Sequence, residues 1–295
     1  MTIRPARSAL YMPGSNTRAL EKSRSLAADV IILDLEDAVA PEAKATARAQ
    51  VCDAVAVGGF GHRQVVIRVN GLGTPWFKDD LAAAIKARPD AILVPKVSSP
   101  LDLNWIGNKL EEAQAAASIR VWAMIETPHA ILNICAIAGA AAQMPQSRLD
   151  CLVLGTNDLV KDTRAELDAN RTAALYWLSA TVTAARAYNL IVLDGVYNAF
   201  KDLDGLEREC RQGRMLGFDG KTLIHPDQIA AANRVFAPSD SEVANARRIL
   251  AAFALPENAG KGVITLDGRM VELLHAEMAR HTVAVADAIV AHNGT

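Results

Sequence analysis

The stretch Val30-Ile31-Ile32-Leu33-Asp34-Leu35-Glu36-Asp37 begins apolar at successive positions and ends in carboxylates. A strand with one wet face alternates apolar and polar residues, whereas a strand covered on both faces does not. The stretch therefore predicts a buried parallel strand with its charges gathered at the C-terminal end. The same pattern recurs at Arg7 to Met12, Val65 to Val69, Ala91 to Val97, Val121 to Ile125, Cys151 to Leu154, Leu190 to Leu193 and Thr222 to Ile224. Alanine-rich segments of helical spacing lie between these runs. An open sheet this wide would show edge strands of a different character, so the eight units predict a (β/α)8 barrel of the TIM type over about residues 7–236. Ligand-handling residues of such a barrel sit at the C-terminal strand ends. Those ends carry Pro13-Gly14, Asp34/Glu36/Asp37, Arg68, Lys96, Glu126, Asp158, Asp194 and His225.

Helix starts are marked by Ser15-Asn16 before Arg18 to Ala28, by Pro41-Glu42, by Ser99-Pro100 before Leu101 to Ala117, and by Pro226-Asp227. After Phe236 the chain changes character, and residues 237–295 form an extension that a barrel core does not need. Within it Ser241 to Ala254 has helical period, Pro256 to Gly262 is a turn-rich linker, and Val263 to Gly268 has the look of a small hairpin. Met270 to His292 is expected to be one long helix. The extension is expected to cover a barrel mouth or to dock on a neighbouring subunit.

The chain has 295 residues, 51% of them hydrophobic, enough for one barrel with a substantial core. Its net charge of -2 gives no concentrated basic surface for nucleic acid or an anionic membrane. Cys52, Cys135, Cys151 and Cys210 lack metal-ligand spacing and are expected as core thiols of a reducing compartment. No signal-like stretch opens the chain and no run approaches the length of a membrane span, so the expected location is the cytoplasm.

Glu126 and Asp158 follow consecutive strands, which in a barrel lie about 5 Å apart. Two carboxylates brought that close repel unless a cation joins them. An all-oxygen site with room for water suits Mg2+, with Mn2+ as a substitute, better than Zn2+. The alternative is that both residues cap the helices that follow. Arg68 ends an otherwise buried strand and must be paired. Its planar fork suits a substrate carboxylate or thioester oxygen, and a salt bridge to Glu36 or Asp37 is the competing assignment. Asp37 is placed with Arg68 among the candidate catalytic residues. Pro13-Gly14 sits where free amides can cradle an anion, with Lys22 beyond it as a possible cationic partner or an ordinary solvated lysine.

Several stretches together resemble the citrate lyase β-subunit/malyl-CoA lyase family. They are Arg7 to Ser15, Ile32 to Val39, Ile67 to Gly71, Val94-Pro95-Lys96, Met124 to Thr127 and Gly217 to Pro226, and they occur in order along essentially the whole chain. The resemblance implies a barrel whose C-terminal lid is exchanged between subunits of a homotrimer or dimer of trimers, Mg2+, and an acyl-CoA substrate. It assigns Glu126 and Asp158 to the metal and Arg68 to the 2-oxo acid portion of the substrate. Tyr11, Lys22 and Ile224-His225-Pro226 match positions that contact the CoA thioester. Lyases of this family carry aspartate in a Gly-x-Met-Val-Asp motif as the acid/base, and this chain has Gly268-Arg269-Met270-Val271-Glu272. That glutamate, with Gly155 to Leu159 and Asp194 to Asn198, resembles the malyl-CoA thioesterase branch.

The expected function is therefore Mg2+-dependent C–C cleavage of a β-hydroxyacyl-CoA of the malyl-CoA or citramalyl-CoA type, giving a 2-oxo acid and an acyl-CoA. Hydrolysis of (3S)-malyl-CoA by the same site is the alternative, with Glu272 activating water. Two further alternatives are a citrate lyase β-subunit acting on a carrier-protein thioester, and a ligand-binding barrel with little catalysis.

Overall fold

The computed structural model describes residues 4–293. Eight parallel strands close into a barrel in sequence order. They are β1 Ser8–Pro13, β2 Val30–Asp34, β3 Gln64–Arg68, β4 Ala91–Val94, β5 Arg120–Ile125, β6 Leu149–Leu154, β7 Ile191–Asp194 and β8 Gly220–Leu223. Each lies on or within a residue or two of an expected run. The expected TIM-type barrel is what the chain forms. Residues 6–234 make one compact unit, and residues 235–293 with the described residues 4–5 make a second.

The period of two along each strand decides what faces the barrel axis. Ala9, Val30, Ile32, Val66, Ala91, Leu93, Trp122, Met124, Cys151, Val153 and Leu193 form one buried cluster, with Tyr11 packed against it. One further step of the same alternation takes Ile32 to Asp34, Val66 to Arg68 and Met124 to Glu126. The inward rows are thus apolar through the middle and ionic at the C-terminal end. Registration sets Asp34 directly beside Arg68 and Pro13 beside Asp34.

Helix boundaries follow local chemistry. Asn16 caps Thr17–Ser23 by accepting from the Ala19 amide. That helix ends before the expected Ala28, because a turn over Arg24 to Leu26 must lead the chain back into β2. Ser99 and Asp102 form a capping box on Pro100–Glu112, with Pro100 in the first turn where its missing N–H is harmless. That helix stops short of the expected Ala117, with Gln114 left-handed at φ 50°.

The second unit holds the helices Asp240–Phe253 and Leu273–Asn293, and a hairpin of β9 Val263–Leu266 and β10 Arg269–Glu272. Asp267 and Gly268 both have positive φ, 51° and 73°, which a two-residue turn of right-twisted strands requires. Met270 to Glu272 is therefore strand, where the sequence pattern suggested helix. Those residues gain cross-strand hydrogen bonds from β9, and Ile264 and Val271 are buried within the unit. Cys151 and Cys210 are buried thiols as expected, while Cys52 is half-buried and Cys135 is exposed on helix Ile134–Gln143. Among the described residues no helix is long and apolar enough to cross a membrane.

Barrel closure depends on the approach of β8 to the chain entering β1. A methyl group at Gly220 would overlap the Ala6 carbonyl, so backbone contact leaves no space for a side chain. Gly220→Ala is expected to destabilise the barrel by at least the ~1–3 kcal/mol typical of overpacking, read as a lower midpoint in urea unfolding. An unchanged midpoint would show that closure has slack here.

Candidate active site

Arg68 ends β3 almost fully buried, and its guanidinium meets three carboxylates. Nε and Nη2 donate to the two oxygens of Asp34, each at 2.7 Å. Nη1 lies 3.0 Å from Glu36 and 3.3 Å from Asp37. The Tyr11 ring lies under the guanidinium carbon at 4.6 Å from its centroid. Burial opposes the charge on Arg68, but Asp34 outweighs it and holds the group well above its ordinary range. Burial pushes the Tyr11 hydroxyl well above the ordinary phenol range, partly countered by Arg68. The salt-bridge assignment of Arg68 is realised, with Asp34 added as its principal partner.

Across the mouth, Lys96 follows β4 and Glu126 follows β5. The Lys96 amide donates to Glu126 Oε1 at 2.8 Å, and its Nζ lies 2.9 Å from Glu36 Oε1. The same Nζ is 3.9 Å from Glu126 Oε1 and 3.9 Å from Asp158 Oδ1. Glu126 and Asp158 thus converge on one cationic atom, as their adjacent strands suggested. Glu126 does not cap the next helix; the Thr127 hydroxyl does, accepting from the Ala130 amide. Asp158 lies in the first turn of Thr156–Thr163. Gly155 makes room for Glu126, since a Cβ there would come within 2.5 Å of its Cβ and Oε2.

The charges do not balance. Among the described residues, Asp34, Glu36, Asp37, Glu126 and Asp158 are faced by Arg68, Lys96 and Lys44, whose buried ammonium donates to the carbonyls of Leu35 and Glu36. Two negative charges are left over. Burial above all, then Glu36 and Asp158, pushes the Glu126 carboxyl up to about 8. A carboxylate so reluctant to ionise, beside a second one and in an oxygen-only setting, fits a hard divalent ion. Two carboxylates are few ligands, and among the described residues no group of three metal-binding side chains is gathered. An ion held by these two residues would depend on water or substrate for its remaining ligands.

The other candidates make separate contacts. Pro13 is half-buried and the Gly14 amide is spent on the Asp34 carbonyl at 2.8 Å, so this turn offers no free N–H from Gly14 to an anion. Lys22 is exposed and forms no ion pair among the described residues. Ile224 is exposed; Pro226 opens a single turn that follows His225, whose ring stacks on Phe200 with centroids 4.9 Å apart. Glu272 ends β10 in the second unit, its amide donating to His275 Nδ1 at 3.0 Å. Asp194 is fully buried, bound by Arg171 at 2.8 and 2.9 Å and by Lys221 at 3.2 Å, so it braces the barrel and does not face a ligand. A cavity of about 300 Å³ begins at Thr156 and Asn157, just before Asp158, and reaches Tyr197, Asn198 and Arg208.

The roles of Asp34, Lys44 and Lys96 escape the sequence patterns. A usable signal existed for Asp34: it continues the inward row of Ile32 as Arg68 continues that of Val66.

Comparison with known proteins bears on this arrangement. Residues 7–226 match the HpcH/HpaI aldolase/citrate lyase family model. The chain belongs to this family of enzymes, whose members include lyases and a thioesterase. It is 48% identical to a (3S)-malyl-CoA thioesterase of Cereibacter sphaeroides over 97% of its own length and 96% of that protein. It is 33% identical to an L-malyl-CoA/beta-methylmalyl-CoA lyase of the same species, again over 97% and 96%. Among solved structures it is similar to the protein CitE of Mycobacterium tuberculosis in complex with magnesium, acetoacetate and coenzyme A. That match has a TM-score of 0.75 and 28% identity, over 95% of this chain and 99% of that one.

The Glu126 shift has a consequence for stability. The folded state holds this proton more tightly than the unfolded chain, so its contribution is complete below the ordinary value of 4.5 and is lost as pH rises through about 8. In chelator-treated protein, wild type should lose stability relative to Glu126→Gln across that window. Parallel pH profiles of the two melting temperatures would refute the assignment.

Proposed function

We propose that this protein hydrolyses (3S)-malyl-CoA to malate and free CoA in a divalent-cation-dependent reaction, with Mg2+ held by Glu126 and Asp158. The observation that carries the choice of hydrolysis over C–C cleavage is the 48% identity to a thioesterase along nearly the whole chain, against 33% to a lyase. Glu272 in place of the aspartate of the resembled lyases supports the same choice.

Bound at this site, the cation supplies Lewis-acid polarisation and neutralises the two-charge excess of the carboxylates. Arg68, clamped by Asp34, Glu36 and Asp37, presents a fixed guanidinium toward the acyl portion, with Tyr11 as its floor. The segment Ile224-His225-Pro226 and the turn at Pro13-Gly14 flank the mouth where the CoA portion lies, with Lys22 near its phosphates. Glu272, supplied by the extension of a neighbouring subunit of a homotrimer, takes a proton from water as that oxygen attacks the thioester carbon. The C–S bond then breaks, the acyl carbon keeps the water oxygen as a carboxylic acid, and the thiolate recovers the proton from Glu272. The proposed location of the reaction is the cytoplasm.

C–C cleavage is the second reading, favoured by the lyase relatives and by an Arg68–cation pair equally suited to a developing 2-oxo acid. Incubation with (3S)-malyl-CoA and Mg2+ separates the two: malate with free thiol is expected, and glyoxylate with acetyl-CoA would overturn hydrolysis. EDTA is expected to abolish turnover, as is Asp158→Asn, which removes one of two anionic ligands. Full turnover in excess chelator would refute the metal assignment.

Variants at Glu272 probe the base. Glu272→Ala is expected to lower turnover by about 10² to 10⁴, the usual worth of a general acid/base. Glu272→Asp withdraws the carboxylate by one methylene and is expected to move product from malate toward glyoxylate. A wild-type rate in Glu272→Ala would place the base elsewhere.

A further inference from the structure

Lys96 has no part in the reaction outlined above, yet its position is specified several times over. Its backbone is left-handed, at φ 56°, a conformation that costs a long side chain energy and persists where surrounding structure enforces it. Its amide is committed to Glu126 Oε1 at 2.8 Å. Its ammonium is hydrogen-bonded to Glu36 at 2.9 Å, and Glu36 is itself anchored to Arg68 at 3.0 Å. From there the ammonium stands equidistant, at 3.9 Å, from the two carboxylates assigned to the metal. The side chain is 44% exposed, so the charged end has solvent on one side into which it can move.

We propose that Lys96 is a resident counter-cation that sets the affinity of the Glu126–Asp158 pair for a divalent ion, a positioning residue and not a catalytic one. The inference rests on the metal reading given under Proposed function. In the cation-free protein the ammonium relieves the repulsion between Glu126 and Asp158 and keeps both oxygens turned toward the same point. An arriving ion must compete with that ammonium, because a unit charge about 4 Å away raises the local potential at the same oxygens. Between a unit charge and a divalent ion the Coulomb interaction at this distance corresponds to about thirtyfold in affinity in bulk water and far more at lower dielectric. Partial exposure of Lys96, with screening by salt, reduces the effect to the order of tenfold. The arrangement holds an open carboxylate pair together before the ion arrives and keeps the ion exchangeable afterwards.

The test is calorimetric titration of Mg2+ into the cation-stripped full-length protein, comparing wild type with Lys96→Met, Lys96→Gly and Lys96→Arg. Lys96→Gly removes the charge while tolerating the left-handed backbone, so at least one neutral variant keeps the fold, as circular dichroism will verify. Both neutral variants are expected to bind Mg2+ about tenfold more tightly than wild type, with Lys96→Arg remaining close to wild type. Their melting temperatures without cation should fall below wild type and recover with saturating Mg2+. Tighter binding by the neutral variants supports the inference even if wild type binds too weakly to measure. Equal or weaker binding by folded neutral variants, with wild type binding, overturns the role of Lys96 alone. Absence of binding by every protein overturns the metal reading and this inference together.

Discussion

The bidentate pair of Asp34 and Arg68 is the contact on which the barrel mouth depends. Both groups are almost fully buried, and each would be strongly unfavourable there without the other. Pairing them in the fork geometry satisfies both Asp34 oxygens with two donors of Arg68, and leaves the third nitrogen to gather Glu36 and Asp37. Removing one partner of such a pair typically costs about 3–5 kcal/mol, because the charge left behind stays buried. The pair lies between neighbouring strands in register, so the sheet itself carries the alignment.

From this anchor the charges pass round the mouth in a chain. Arg68 holds Glu36, Glu36 holds Lys96, and Lys96 faces Glu126 and Asp158. The links join the C-terminal ends of β2, β3, β4 and β5 and the helix turn after β6, and the Glu36–Lys96 link passes over β3. Even with Lys44 counted the mouth is short of positive charge by two, and burial above all, then Glu36 and Asp158, raises the Glu126 carboxyl. A second closed network, Arg171 with Asp194, Lys221 and Glu209, lies on the far side of the barrel and is internally paired. The contrast separates bracing from function: two acids against two bases there, an excess of acid at Glu126 and Asp158.

Family membership makes this chain an enzyme of a family that includes lyases and a thioesterase, and in the function proposed here cleavage and hydrolysis differ in the duty of a single carboxylate, Glu272. That residue sits at the end of a hairpin strand whose turn, Asp267-Gly268, sets where the carboxylate is offered. One methylene at such a position changes what the group reaches.

The sequence by itself determined the barrel, because eight doubly buried strands announce themselves through unbroken apolar runs, and it placed the chemistry at their C-terminal ends. Glu126 and Asp158 were legible as a pair, since consecutive strands of a barrel are neighbours. Met270 to Glu272 was not legible as strand, because three residues carry no period and only pairing with β9 gives them hydrogen-bond partners. The capture of the Gly14 amide by Asp34, the diversion of Asp194 into bracing and the left-handed Lys96 set between three acids were decided by tertiary structure alone. Each depends on which atoms meet across strands far apart in the chain, and no local pattern encodes how a charge divides itself among several partners.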